Sequence, residues 1–397
     1  MEQLSARIKS LAPSATIAMN QKGRELKDKG VDVINLSVGE PDFNTPEHIR
    51  EAAKKAIDGD WHHYAPVAGY PDLLKAIVEK FKKENNLEFK PSNIMVSVGA
   101  KHSLANVMIC LIEKGEEVIV PAPYWVSYAE QVKIAEGVNV IVDTTVESDF
   151  KMSPEQLEAA ITPKTKALLL CSPSNPTGSV YSREELKALA DVLVKHPQVF
   201  IITDEIYEHI NFVGGHESIA QFEEIRDRVI IVNGVSKAYA MTGWRIGYMA
   251  GPEWLVKACN KLQGQMTSGA TSIAMRAALE ALTGDQTCVR EMRDAFLRRR
   301  NLILGHISQI PDVKCPKPGG AFYVFPDFSA YIGKSVDGRE INNDMDLCIY
   351  LLEVGHIATV PGSAFGMDGC VRISYANSDE NLEKAMQRLK NALAALK

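Results

Sequence analysis

The stretch KALLLCSPSNPTGSVYSREELKALADVLVKHPQVFIITDE, residues 166–205, decides the fold. It begins with an apolar run, Lys166–Cys171, and ends with another, Val199–Thr203, each of which is typical of a buried strand. Between them, Ser182 and Glu185 form a capping box that predicts the start of a helix. A strand, a helix and a second strand in this order predict a βαβ unit with parallel strands.

The same alternation extends from about residue 93 to about residue 237. The further predicted strands and helices are Asn93–Val98, Lys101–Glu113, Glu117–Val120, Val126–Ala135 and Arg228–Val232. Such a succession is typical of a mostly parallel sheet that is covered by helices on both faces. The predicted fold class is therefore α/β.

The pattern changes near residue 285, where a long arginine-rich helix replaces the alternation. We interpret its run Arg298-Arg299-Arg300 as a solvated helix face. The predicted elements in this part of the chain are a long helix, two strands and a terminal helix: Cys288–Ile310, Ala321–Phe325, Val371–Ala376 and Asp379–Lys397.

These patterns predict three segments. Residues 46–285 form a large domain that carries the parallel sheet, and residues 286–397 form a smaller α+β domain. Residues 1–45, which contain the strand-like Val33–Ser37, form an N-terminal arm and part of the small domain.

Composition argues against several classes of protein. The 397-residue chain has 44 Lys+Arg, 50 Asp+Glu and a net charge of −6, without a long basic cluster, so we expect no nucleic-acid partner. No apolar run approaches the roughly 18 residues of a membrane span, and residues 1–20 lack the pattern of a signal peptide. The seven scattered cysteines contain no C-x-x-C pair, which is typical of free thiols in a reducing compartment. We therefore expect a cytoplasmic protein without a membrane partner.

Common cofactor and metal motifs are missing from the sequence. It contains no G-x-G-x-x-G, G-x-x-x-x-G-K-[ST] or H-E-x-x-H, which argues against nicotinamide chemistry, P-loop hydrolysis and zinc proteolysis. The histidines His62, His63, His102 and His209 lack the spacing of metal ligands, so no metal site is predicted.

Ligands of open parallel sheets bind beyond the carboxyl ends of the strands. The residues that follow the predicted strands are a glycine turn at the start of a helix, aromatic residues, one acid, one lysine and one arginine. They are Gly99, Ala100, Lys101, Tyr124, Trp125, Asn175 with Pro176-Thr177-Gly178, Asp204, Tyr207, Ser236, Lys237 and Arg245.

This combination of residue types points to one ligand. A small turn that opens a helix presents unpaired N–H groups to an anion, and Ser236 and Arg245 would complete a phosphate cradle. Asp204 can hold a positively charged ring nitrogen, an aromatic ring can stack on a planar cofactor, and Lys237 can form a Schiff base with an aldehyde. Together these properties describe a site for pyridoxal 5′-phosphate.

Motifs along nearly the whole chain carry a family resemblance. They are YAPVAG at 64–69, SPSNPTG at 172–178, TDEIY at 203–207, SKAYAMTGWRIG at 236–247 and RISYA at 372–376. The chain resembles the class I aminotransferases of the aspartate aminotransferase family, and within it the bacterial members, some of which also act on prephenate. This resemblance implies the fold type I of pyridoxal-phosphate-dependent transferases.

The resemblance implies roles around the cofactor, with Lys237, Asp204 and Tyr207 as catalytic residues. Lys237 would carry the internal aldimine and then move a proton between the substrate Cα and the cofactor C4′. Asp204 would keep the pyridinium nitrogen protonated. Tyr207 and Asn175 would hydrogen-bond the phenolic oxygen, and Trp125 would stack on the ring.

The resemblance also implies a phosphate site that two subunits of a homodimer share. Its residues would be the turn at Gly99, the N–H groups of Ala100 and Lys101, the side chains of Ser236 and Arg245 and, from the neighbouring subunit, Tyr64. Many relatives carry a hydroxyl where this chain has Gly234, so one phosphate contact is expected to be lost or replaced by water.

For the substrate, the resemblance implies that Arg372 binds the α-carboxylate in a bidentate fork, helped by Asn175 and the backbone N–H of Gly39. Trp125 would also contact the substrate. Lys101, with Thr16 as a helper, would bind the second carboxylate of a dicarboxylic substrate. The alternative for Lys101 is a solvated lysine at the start of a helix.

The implied function is ping-pong transfer of an amino group from aspartate, or a similar dicarboxylic amino acid, to 2-oxoglutarate. Binding of the carboxylate by Arg372 would close the small domain and exclude water. The alternatives are an aminotransferase of aromatic or neutral amino acids or of prephenate, and a β-lyase, because all would use the same lysine, acid and arginine. A ligand-sensing regulator would need a DNA-binding domain, for which the N-terminal segment is too short.

Overall fold

The computed structural model describes residues 3–13 and 15–397. Its strands are β1 Ile34–Asn35, β2 Ile94–Ser97, β3 Glu117–Ala122, β4 Val138–Asp143, β5 Thr165–Cys171, β6 Phe200–Asp204, β7 Val229–Gly234, β8 Gly247–Ala250, β9 Tyr323–Val324, β10 Ser335–Val336, β11 Arg339–Glu340, β12 Ile357–Ala358, β13 Val360–Pro361 and β14 Val371–Ser374.

The α-helices are α1 Ala6–Lys9, α2 Ala15–Asp28, α3 Glu47–Asp58, α4 Pro71–Asn85, α5 Ala100–Leu111, α6 Ser127–Ile134, α7 Pro154–Ala160, α8 Arg183–Val194, α9 Glu253–Met266, α10 Ser272–Thr283, α11 Thr287–Ile307, α12 Asp344–Glu353 and α13 Asp379–Ala394. Short 3₁₀ turns lie at Pro91–Asn93, Ile219–Gln221, Arg226–Arg228, Thr242–Trp244, Ser329–Tyr331 and Gly362–Phe365.

A seven-stranded sheet in the order β2-β8-β7-β6-β5-β3-β4 forms the centre of the molecule. All neighbouring pairs are parallel except those of β8, which runs antiparallel to β2 and to β7. One apolar core packs α3, α4, α8 and α10 against the sheet, and another packs α5, α6 and α9. The predicted parallel α/β architecture is therefore confirmed.

The strands predicted between residues 93 and 237 are confirmed, with ends within two residues of the observed ones. The capping box at Ser182 is also present: its hydroxyl accepts from the Glu185 N–H at 3.2 Å. Strands β4 and β8 were not predicted. β8 spans only Gly247–Ala250, and so short a run shows no recognisable periodicity.

The C-terminal part of the chain contains a three-stranded sheet, β13-β14-β9, packed with α11, α12 and α13 around a further apolar core. Strand β1 pairs in parallel with β12, which ties the strand-like Val33–Ser37 segment to this part of the molecule. The domain boundaries themselves stay a prediction.

The interpretation of Arg298-Arg299-Arg300 as a solvated face is wrong for two of its three residues. Arg298 is exposed, but Arg299 and Arg300 are buried. Arg299 forms ion pairs with Asp42 at 2.7 Å and with Asp379 at 3.3 Å, and Arg300 donates to the Pro318 carbonyl at 2.8 Å. These partners are distant in sequence, so the run alone could not show that two of its side chains are buried and hydrogen-bonded inside the fold.

All seven cysteines are free thiols, of which Cys259, Cys348 and Cys370 are buried. No helix in the described part of the chain combines the length and the apolar character that crossing a membrane requires.

Candidate active site

A cavity of about 290 Å³ opens beyond the carboxyl ends of the central parallel strands. It brings together most of the predicted site residues: Thr16, Gly39, Ala100, Lys101, Trp125, Asn175, Asp204, Tyr207, Ser236, Lys237, Arg245 and Arg372. Two predicted residues do not line it. Gly99 precedes Ala100 in the chain as the N-cap of α5, and Tyr64 lies on the surface with 92% of its area exposed.

Lys237 follows β7 and reaches the floor of the cavity. Its Nζ donates to the Gly39 carbonyl at 2.6 Å. Burial lowers the pKa of Lys237 to about 8, and the charges of Arg372 and Arg245 act in the same direction against Glu40. Near neutral pH roughly a tenth of this amine is therefore uncharged and nucleophilic, far more than for an ordinary lysine.

Asp204 is the last residue of β6, and its carboxylate is held in one orientation. One oxygen accepts from the Tyr128 hydroxyl at 2.7 Å, and the other accepts from the Ile206 N–H at 3.2 Å. Burial raises the pKa of Asp204 to about 6, although these hydrogen bonds lower it. A positively charged group beside Asp204 would favour its ionised form.

Tyr128 was missed by sequence reasoning. It lies one helical turn after Trp125, and the two rings meet edge to face with centroids 5.4 Å apart. The sequence offered no signal for it, because Trp125 precedes α6 and only the fold brings the two rings together and the Tyr128 hydroxyl onto Asp204.

Arg372 is carried by β14 and is only 2% exposed. It donates to the Asn175 side-chain oxygen at 3.0 Å and to the Ser37 carbonyl at 2.6 Å, and its guanidinium lies 4.7 Å from the Tyr323 ring centre. Its Nε is buried and has no hydrogen-bond partner within the described ranges. A buried N–H donor without a partner is costly, so this group points to an anionic ligand such as a carboxylate.

Tyr207 and Tyr323 form a pair of buried hydroxyls that are 2.8 Å apart. The Tyr323 hydroxyl also packs against Gly39, since a Cβ placed there would come within 2.7 Å of it. Sequence reasoning placed Tyr323 in a strand but had no signal for the face it occupies.

The start of α5 forms a compact anion cradle. The N-cap Gly99 has φ 81°, and a Cβ there would overlap the guanidinium of Arg245. A Cβ on Gly247 would likewise overlap the Ala100 backbone, so both glycines permit close approach. The first N–H groups of a helix have no partner within it, and here Ser236 and Arg245 lie in the same cavity.

The absence of a hydroxyl at Gly234 has a steric reason. A Cβ there would come within 2.9 Å of both the Gly247 Cα and the Ile246 carbonyl oxygen. Gly234 and Gly247 are opposite each other on β7 and β8, so a side chain at this position would push the two strands apart.

The mouth of the cavity is formed by Lys101, Trp125 and the N-terminal segment. The Lys101 ammonium lies 4.7 Å from the Trp125 ring centre, and burial, together with Arg245, lowers the pKa of Lys101. Thr16 and Ile17 of α2 cover one side. Ile17 was not predicted, because an apolar residue of an amphipathic helix carries no signal of a ligand.

The chain is similar to known proteins along its length. The family model "Aminotransferase class I and II" matches residues 31–389. The aspartate/prephenate aminotransferase of Cereibacter sphaeroides is 49% identical over 399 residues, which cover 100% of both chains.

Solved structures show the same similarity. The aspartate aminotransferase of Rhizobium meliloti has a TM-score of 0.97 and 43% identity, with 100% of both chains covered. The aspartate aminotransferase of Thermus thermophilus with maleate has a TM-score of 0.93 and 44% identity, covering 99% of this chain and 100% of that one. The chain therefore belongs to the class I and II aminotransferase family.

Proposed function

We propose that the protein is a pyridoxal-phosphate-dependent aminotransferase that moves an amino group from aspartate to 2-oxoglutarate by a ping-pong mechanism. One observation carries the proposal. A single cavity holds a lysine with a lowered pKa, a buried carboxylate and a buried arginine with an unpaired N–H, namely Lys237, Asp204 and Arg372. The names of the similar proteins support aspartate as a substrate.

The residues of the cavity fit pyridoxal 5′-phosphate. The cradle at Gly99, Ser236 and Arg245 offers N–H donors and a positive charge for the phosphate. Asp204 offers a fixed carboxylate for the ring nitrogen, and Trp125 offers a ring face. When bound, the cofactor supplies an electron sink for the charge that is left on the substrate after its α-proton departs.

Lys237 holds and moves the proton. With a pKa of about 8, its amine can accept a proton from the substrate Cα and return it without a large energetic penalty in either direction. The Gly39 carbonyl accepts a hydrogen bond from Nζ, and Gly39 itself lies beside Arg372, whose Nη1 is 3.9 Å from a Cβ built on Gly39.

Arg372 orients the substrate. Its hydrogen bonds to Asn175 and Ser37 fix the guanidinium, so that the free Nε–H can donate to the α-carboxylate of the substrate. Because Arg372 belongs to β14 and Asn175 follows β5, their hydrogen bond already joins these two parts of the chain, and a carboxylate bound there would displace water from between them.

Lys101 is proposed to bind the distal carboxylate, with Thr16 beside it. Its ammonium stands over Trp125 at the mouth of the cavity and forms no ion pair with a carboxylate in the described part of the chain. The maleate named with the Thermus thermophilus enzyme is a dicarboxylate, which supports this preference.

A homodimer is the proposed active unit. Tyr64 is exposed beside a groove that His62, Ala65 and Thr267 also line, and it does not reach the cavity of its own chain. A second copy that inserts Tyr64 would bury this ring and complete the phosphate site. The seven free thiols favour a reducing compartment, so we infer a cytoplasmic location.

The test is a half-reaction with aspartate alone. Protein loaded with pyridoxal phosphate should lose the visible absorption of the bound cofactor when aspartate is added, without any oxo acid. Loss with alanine or phenylalanine but not with aspartate would contradict the proposed specificity. Absence of cofactor binding would contradict the whole proposal. Prephenate is tested as a second amino acceptor, because the relative from Cereibacter sphaeroides is named for it.

The role of Lys101 is tested by Lys101→Ala. We expect kcat/KM for aspartate to fall by roughly ten- to a hundredfold, with little change for alanine, because only the dicarboxylate loses a charge-assisted contact. Lys257→Ala is the matched control, since Lys257 is an exposed lysine paired with Glu253 on α9. Equal losses for both substrates would show that Lys101 does not bind the distal carboxylate.

A further inference from the structure

A second set of buried polar residues lies next to the ends of β6 and β7. We call Lys80, Asn85, Glu208 and Asn233 the Lys80 cluster, and all four residues are buried. None of them lines the cavity that contains Lys237. The proposed chemistry therefore does not explain why four polar side chains are buried here.

Hydrogen bonds connect the whole cluster. The Lys80 ammonium forms an ion pair with Glu208 and donates to the Asn85 side-chain oxygen at 2.7 Å. Asn85 donates to one Glu208 oxygen at 3.0 Å, and Asn233 donates to the other at 2.8 Å. Both carboxylate oxygens are thus occupied, as a buried charge requires.

The cluster touches both segments that carry the proposed catalytic residues. Glu208 directly follows Tyr207 and comes four residues after Asp204. Asn233 accepts the backbone N–H of Gly234 at 2.7 Å, three residues before Lys237. The hydrogen bond between Glu208 and Asn233 is therefore a side-chain link between the segment after β6 and the end of β7, which leads into the turn that carries Lys237.

Lys80 supplies the positive charge that this link needs. Burial raises the pKa of Glu208, but the charges of Lys80, His209 and His216 and the hydrogen bond from Lys80 together hold it well below its usual value, so the carboxylate stays ionised and its hydrogen bond with Asn233 stays charge-assisted. A side-chain oxygen of Glu208 also lies within 4.8 Å of side-chain oxygen and nitrogen atoms of two acid–histidine pairs. One pair is Glu84 with His209, and the other is Glu205 with His216. The Lys80 ammonium contacts Glu208 and lies 3.7 Å from Glu84.

We propose that Glu208 and Asn233 are positioning residues: their hydrogen bond, neutralised by Lys80, holds the turn that carries Lys237 against the segment that carries Asp204 and Tyr207. This inference rests on the proposed function, because its effect is on how Lys237 meets the cofactor and the substrate. A displacement of a reacting group by a fraction of an ångström is costly in rate, so the link is expected to act on kcat.

The test compares Asn233→Ala and Glu208→Gln with wild type, all loaded with pyridoxal phosphate. Asn233→Ala removes the link, and Glu208→Gln keeps the side-chain volume but removes the charge. We expect kcat for aspartate to fall on the order of tenfold in each, with KM within about threefold because Arg372 and Lys101 are untouched. The pH midpoint of the visible absorption of the bound cofactor should move by about 0.5 unit or more.

The matched control is Asn139→Ala. Asn139 donates to the Ala129 carbonyl at 3.0 Å from the edge strand β4, so its loss removes a comparable hydrogen bond far from the link. This variant should keep the wild-type midpoint and kcat. Thermal unfolding of all variants separates general destabilisation from the specific effect.

The two possible failures have different signatures. If Asn233→Ala and Glu208→Gln unfold at a lower temperature but keep the midpoint and kcat of wild type, the cluster only stabilises the fold and the inference is wrong. Should Asn233→Ala not fold, Glu208→Gln alone decides by the same criteria. If wild type itself binds no pyridoxal phosphate, the proposed function fails, and the inference with it.

Discussion

Lys80 and Lys237 are two lysines in the interior of the same molecule: Lys80 contacts Glu208, Lys237 lies over the ring of the adjacent Tyr207, and their surroundings differ. The side chain of Lys80 is 2% exposed and has a carboxylate partner in Glu208. Lys237 donates to a backbone carbonyl, and no carboxylate of the described chain forms an ion pair with it. Burial lowers the pKa of Lys237 to about 8.

The difference separates a structural charge from a reactive one. A buried ammonium that is matched by a carboxylate stays charged and contributes to a unique fold, whereas one without such a partner becomes easier to deprotonate. Only the second kind can act as a nucleophile or base near neutral pH. The cavity of the candidate active site is lined by Lys237, which has no carboxylate partner, and not by Lys80, which has one.

The largest expected effect concerns Lys237, the lysine without a carboxylate partner. Lys237→Met should lower the rate of the half-reaction with aspartate by about 10⁴-fold or more, because it removes both the nucleophile and the base. The free energy of unfolding should stay within about 1 kcal/mol of wild type, since no ion pair is broken. Single-turnover kinetics and denaturant unfolding measure the two quantities. A variant that retains one hundredth of the activity would refute the role of Lys237.

The matched lysine should behave in the opposite way. Lys80→Met leaves the buried carboxylate of Glu208 without its counter-charge, so the free energy of unfolding should fall by about 3–5 kcal/mol. Lys257→Met, at an exposed ion pair, should change it by less than about 1 kcal/mol. A double variant, Lys80→Met with Glu208→Gln, should recover part of the loss. If Lys80→Met were as stable as the control, Lys80 and Lys237 would not differ as we describe.

The distinction between a structural charge and one that acts on the substrate can also be tested on a buried arginine, Arg372. Arg372→Lys should lower kcat/KM by about 10²-fold or more for aspartate and for alanine alike, because the α-carboxylate common to both loses the Nε–H donor of a fixed, planar guanidinium. Arg298→Lys is the control, since Arg298 pairs with Asp379 on the exposed side of α11. Steady-state kinetics with both amino acids measures the effect. If kcat/KM fell for aspartate alone, Arg372 would bind the distal carboxylate and not the α-carboxylate.

The smallest expected effect is the pH dependence of cofactor binding. Since burial raises the pKa of Asp204 to about 6, this carboxyl becomes neutral as the pH falls below 6 and can no longer balance a positively charged ring nitrogen. The affinity for pyridoxal phosphate should therefore fall by up to about tenfold per unit below pH 6. Fluorescence titration measures it. The Asp204→Asn variant should bind pyridoxal phosphate weakly at all pH values, without this dependence on pH. If the variant kept the same pH dependence, a group of the cofactor itself and not Asp204 would be its cause.

Sequence reasoning found the site because of how parallel sheets are built. The carboxyl ends of parallel strands meet at one edge, so residues that follow separate strands, such as Lys101, Asn175, Asp204 and Lys237, were expected to converge, and they do. Their chemistry was readable because a lysine, an acid and a glycine turn at a helix start are each unusual at such positions.

Other features depended on contacts between parts of the chain that are distant in sequence. Tyr128 and Tyr323 are ordinary aromatic residues until the fold places one on Asp204 and the other beside Tyr207. The burial of Arg299, within a run that reads as solvated, depends on Asp42 of the N-terminal segment.

The sequence by itself determined the α/β class, the succession of five of the central strands along the chain and the residues at their carboxyl ends, because these follow from local periodicity and from chain order. Tertiary structure alone decided which lysine is matched by a carboxylate and which is not. Both Lys80 and Lys237 carry the same charged side chain, and only the placing of Glu208 beside the first and of the cavity beside the second makes one structural and the other reactive.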